Sequence, residues 1–83
     1  MVWNSRIKEL VAVGASITAN CQPCLQYHTD KALELGATTG EIAAAIETGM
    51  QVRKGAHAEM DIFASEVKTG LRASGVKEPA CCG

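Results

Sequence analysis

Aromatic residues are scarce in this 83-residue chain: one Trp, one Tyr and one Phe make up 4% of a sequence that is 47% apolar. The apolar share is mainly Ala with Val, Leu and Ile, which argues against a core built around large rings and suits closely packed helices. An excess of one charge is missing too. Eight Lys and Arg against nine Asp and Glu give a net charge of −1, so there is no basic surface to attract phosphates, and no nucleic-acid partner is expected. The charges are interspersed and form no charged tail. No apolar run approaches the roughly 20 residues a bilayer-spanning helix requires, and no strand pattern, repeat or linker is present. A single domain of this length buries a modest core, which an oligomer would supplement.

One targeting pattern must be set aside. Arg6 and Lys8 precede the run Leu10 to Ala19 and then Asn20-Cys21, superficially like a lipoprotein signal. Glu9 at the start of the run, its shortness, and the bulk of Asn20 before the cysteine all argue against it. A soluble, cytoplasmic protein with no membrane partner is the expectation. In that compartment four cysteines point to redox or metal chemistry more than to structural disulfides.

What is present is helical periodicity. Ile7, Leu10, Val11, Gly14 and Ile17 predict a helix over about 4–19, with Asn4 or Ser5 able to cap it. A second helix is predicted from about Gln22 to Leu35, ending at Gly36, where glycine can take the left-handed C-terminal conformation. Thr38 and Glu41 have the spacing of a capping box, which opens a third helix running to about Lys54. Gly55 is read as a break or bend, followed by a fourth helix over about 56–73 that presents Met60, Phe63, Ala64, Val67 and Leu71. The predicted fold is all-α: one domain of about four helices over 1–74, followed by a flexible tail over 75–83 carrying Cys81 and Cys82.

The reactive side chains cluster between Asn20 and His28, in Asn-Cys-Gln-Pro-Cys-Leu-Gln-Tyr-His. Cys21 and Cys24 form a Cys-x-x-Cys pair, and His28 lies four residues after Cys24, one helical turn away on the same face. Pro23 marks a helix start, which puts Cys24 in the first turn, where unpaired N–H groups and the helix dipole favour a thiolate. A free thiol titrates near pH ~8.5, and such settings lower this to roughly 3.5–7.5. Three readings of the pair compete: a redox dithiol, three ligands of a zinc site, or buried inert cysteines. Haem attachment is excluded because Leu25, not histidine, follows Cys24. Zinc or a softer ion would need a further ligand from Cys81, Cys82 or His57, and no second paired-ligand knuckle is present. His57, Met50 and Met60 otherwise read as surface or packing residues, and Glu9, taken alone, reads as a solvent-edge carboxylate on the flank of the first apolar stripe.

Glu9, twelve residues before Cys21, together with Cys21-x-x-Cys24, His28-Thr29, Leu35-Gly36-Ala37 and Glu41-Ile42, resembles the signature of the carboxymuconolactone decarboxylase superfamily, specifically its alkylhydroperoxidase AhpD-like branch. The resemblance spans about Glu9 to Met50. It implies a small helical fold assembling into homo-trimers or hexamers, with the cysteines near a subunit interface. It also implies roles: Cys24 as the attacking thiol, Cys21 as its resolving partner, and His28 with Glu9 as a proton relay, so that Glu9 becomes a buried relay member. The implied substrate is a peroxide or disulfide, and the electron donor is a lipoyl or thioredoxin-like dithiol. No bound cofactor or metal is required.

Overall fold

Asn4 begins the first helix as its N-cap, with an extended backbone and a side-chain oxygen that accepts the Ile7 N–H at 2.9 Å. The computed structural model describes residues 2–73, and these form three helices: α1 (Ser5–Thr18), α2 (Gln22–Glu34) and α3 (Thr39–Ala73). No strand occurs among the described residues, as the periodicity requires. The predicted tail with Cys81 and Cys82, and the domain boundary at 74, lie outside the described residues.

The helix ends follow from local chemistry. α2 ends in a Schellman turn, in which Gly36 takes φ 92, its N–H donates to the Leu33 carbonyl, and the Ala37 N–H reaches back to Ala32. Thr38 and Glu41 form the predicted capping box. The Thr38 hydroxyl accepts the Glu41 N–H at 3.0 Å, and the Glu41 carboxylate accepts the Thr38 N–H at 2.9 Å.

α1 is the hub, packing against α3 along one side and α2 along another, while α2 and α3 meet only briefly. The α1–α3 crossing is close because two glycines face each other. A Cβ on Gly49 would lie 2.5 Å from the Gly14 carbonyl oxygen, and one on Gly14 would lie 3.2 Å from the Ala45 carbonyl. The core is small: Val13, Ala32, Ala37 and Ile42 are buried, with Leu10 and Ile46 packed at its edge.

The expected break at Gly55 is absent: α3 runs unbroken through it, so the predicted third and fourth helices are one. A glycine inside a helix costs about 1 kcal/mol relative to alanine, too little to end a helix flanked by strong helix formers such as Lys54, Ala56, Ala58 and Glu59. Among the described residues, it is the first half of α3 that packs on the body. Every residue from Lys54 to Gly70 is exposed, so the second half projects as an arm along the 59 Å long axis.

Candidate active site

Cys21 occupies two helix ends at once. α1 closes in its own Schellman turn, in which Asn20 takes the left-handed conformation at φ 54, the Asn20 N–H donates to the Ile17 carbonyl, and the Cys21 N–H reaches back to Ser16. The next residue to enter a helix is Gln22, so Cys21 is also the N-cap of α2, with an extended backbone (φ −107, ψ 99). Its sulfur accepts the Cys24 N–H at 3.3 Å, and Pro23 stands in the first turn as its spacing predicts. Cys21 and Cys24 are joined as a disulfide, with Cys24 exposed and Cys21 partly covered.

One turn into α2, His28 meets Glu9 of α1. His28 Nδ1 and Glu9 Oε2 are 2.6 Å apart, and with the carboxylate ionised the imidazole nitrogen is the donor. That bond fixes the ring's tautomer and leaves Nε2 as its proton-accepting nitrogen. Glu9 is 9% exposed, so the solvent-edge reading of its sequence position is overturned in favour of a buried group. The two side chains are 19 residues apart in sequence, and the α1–α2 packing brings them together. Tyr27 touches the His28 ring edge-on, with centroids 5.0 Å apart, and is itself largely exposed.

Cys21, Cys24 and His28 share a shallow cavity of about 220 Å³ with Ala12, Ala15 and Ser16 of α1. The side chains that α1 contributes to it are small, and Cys24 stands exposed at its edge. Ser16 is a site residue the sequence reading missed. It is buried, its hydroxyl donates to the Ala12 carbonyl at 2.7 Å, and it lies two helical turns beyond Glu9, a spacing that could have revealed it. A larger groove of about 460 Å³ runs between α1 and α3, lined by residues such as Ile7, Leu10, Val11, Ala45 and Val52; its polar side chains are Thr18 and Thr48, whose hydroxyls donate to the Ala15 and Ala44 carbonyls.

Among the described residues no three His, Cys, Asp or Glu side chains gather as a metal site would require. His57 lies on the exposed arm, and Cys81 and Cys82, the other ligands the metal reading calls on, fall outside the described residues. No helix among the described residues is long and apolar enough to cross a membrane.

Three helices, with a dithiol at the start of the second and a carboxylate–imidazole pair joining the first to the second, define a class of small all-helical proteins. The sequence profile of the carboxymuconolactone decarboxylase family matches residues 3–64, which take in Glu9, Cys21, Cys24 and His28, and the chain belongs to that family. No curated protein and no solved structure matches the chain at a significant level.

Proposed function

We propose that this protein is a thiol-dependent peroxidase or disulfide reductase of the AhpD-like branch of its family. The observation that carries the reading is the 2.6 Å Glu9–His28 bond one helical turn from Cys24, because a buried carboxylate orienting an imidazole beside a thiol is how a nucleophile is activated. His28 takes the Cys24 proton, directly or through a water, and the Glu9 carboxylate stabilises the resulting imidazolium. The Cys24 thiolate then attacks one peroxide oxygen. The O–O bond breaks, the alkoxide leaves and is protonated to an alcohol, and Cys24 becomes a sulfenic acid. Cys21 attacks that sulfur and releases water, which leaves the Cys21–Cys24 disulfide and a peroxide reduced by two electrons.

A lipoyl or thioredoxin-like dithiol resets the pair by exchange. Exposed Cys24 is the sulfur an incoming thiolate reaches, so the S–S bond breaks with Cys21 as the leaving thiolate, which the Cys24 N–H is placed to stabilise. The donor's second thiol then displaces Cys24 and leaves oxidised donor and reduced protein.

A homo-oligomer, trimer or hexamer, belongs to the same reading. Its support is the exposed apolar face of the α3 arm, with Met60, Phe63 and Val67, together with the open apolar groove between α1 and α3. The reducing cytoplasm is the compartment in which such a pair cycles. Steady-state turnover of an alkyl hydroperoxide and of a lipoyl disulfide tests the enzymatic claim: Cys24→Ser is expected to abolish both, and unchanged turnover would refute it.

A further inference from the structure

Arg53 lies on α3 one turn beyond Gly49, on the face turned to α1. Its Nη1 donates to the Ile17 carbonyl at 3.3 Å and to Asn20 Oδ1 at 3.1 Å. Both partners belong to the turn that ends α1 and leads directly into Cys21. α1 has no basic residue in its own last turn, so a cation from α3 meets its C-terminal carbonyls. Asn20 is the one residue other than glycine with positive φ among those described. A side chain is disfavoured in that region, and a Schellman turn most often uses glycine there, with asparagine the occasional substitute. Arg53 grips the Asn20 side chain from outside the turn and offsets that penalty.

The next residue is the one whose placement matters. The Cys21 backbone is fixed by its bond back to Ser16 and by its role as N-cap of α2, and both depend on Asn20 staying left-handed. When the dithiol is reduced, the rate and extent of ring closure depend on how closely the two thiols are held in the bonding arrangement.

We propose that Arg53 is a positioning residue for the dithiol. By holding Asn20 it sets the Cys21 backbone, and through it the stability of the Cys21–Cys24 disulfide. The inference rests on reading the pair as a redox dithiol. One guanidinium nitrogen with two hydrogens serves two acceptors here, an arrangement the shorter lysine reproduces poorly.

The test equilibrates the full chain with mixtures of reduced and oxidised glutathione, then alkylates free thiols and reads the Cys21–Cys24 disulfide by peptide mapping. In that equilibrium one protein disulfide and two glutathione thiols become two protein thiols and one glutathione disulfide. Arg53→Met keeps an apolar stem and donates nothing. It is expected to lower the equilibrium constant for disulfide formation about tenfold, a shift of about 30 mV toward a more oxidising pair. Adding Asn20→Gly, which adopts positive φ without strain, is expected to restore most of that loss. An unchanged constant in Arg53→Met overturns the proposal, and so does a loss that Asn20→Gly leaves untouched. Should Arg53→Met fail to fold, Arg53→Lys is read the same way: a several-fold fall supports the proposal and no change overturns it. The equilibrium is measured without substrate, so a wild-type pair that exchanges with glutathione but turns over neither peroxide nor lipoyl disulfide would end the enzymatic reading and leave Arg53's role standing.

Discussion

Glu41 joins two elements through one carboxylate. One oxygen accepts the Thr38 N–H in the capping box, and the other meets Arg6 of α1 at 2.6 Å. The Thr38 backbone N–H, and after it the Arg6 guanidinium, hold this carboxyl below its ordinary value. A carboxylate depressed in the folded state stabilises the fold above its unfolded pKa and loses that contribution as pH falls through the folded one. The thermal midpoint of the wild type is therefore expected to exceed that of Glu41→Gln near neutrality. The gap should close as pH drops below about 4, the ordinary carboxylate range, and a pH-independent gap would show that the charge is irrelevant. At this scale the reactive residues were legible because Cys21, Cys24 and His28 follow one another at about one helical turn, and the capping box because Thr38 and Glu41 are local. Arg53 was not legible: its partners are 33 and 36 residues away, and only the close crossing of α1 and α3 brings it to them.

Two glycines inside α3, Gly49 and Gly55, behave oppositely. Gly49 sits where the helices touch, and a methyl group there would meet a backbone carbonyl that cannot move aside. Gly49→Ala is expected to destabilise the fold by about 1–3 kcal/mol, as overpacking does. A Cβ on Gly55 would meet nothing within 4 Å, so Gly55→Ala is expected to stabilise it by about 0.5–1 kcal/mol through helix propensity alone. Urea unfolding of both variants checks the pair, and a destabilised Gly55→Ala would contradict a continuous α3. The helix starts and the Gly36 stop were readable because caps are local chemistry. The end of α1 was placed by its periodicity, although Asn20 rather than glycine makes the turn. Gly55 misled because glycine marks a turn or sits harmlessly on an open helix face, and neighbouring residues do not distinguish the two.

For the molecule as a whole, α3 carries an apolar stripe that Arg53 interrupts. Ile42, Ile46 and Gly49 use it against the body, and Met60, Phe63 and Val67 continue it, at the same helical spacing, into solvent. The periodicity is the same on both sides of Lys54, so the sequence could indicate a helix there but not where its packing ends. Four buried apolar side chains make a thin core among the described residues, and a second copy on the arm would enlarge it. Light scattering is expected to find an oligomer in the wild type and a smaller species in Phe63→Glu, and a monomeric wild type would remove the arm from that role.

The central claim is that Glu9 acts on Cys24 through His28, and the pH dependence of Cys24 alkylation, followed by mass spectrometry in reduced wild type and in Glu9→Gln, tests it most directly. The expected result is a midpoint well below the free-thiol value of about 8.5 that moves upward when the carboxylate is removed. An ordinary midpoint, indifferent to Glu9, would contradict the relay and reduce the Glu9–His28 bond to a structural tie between two helices.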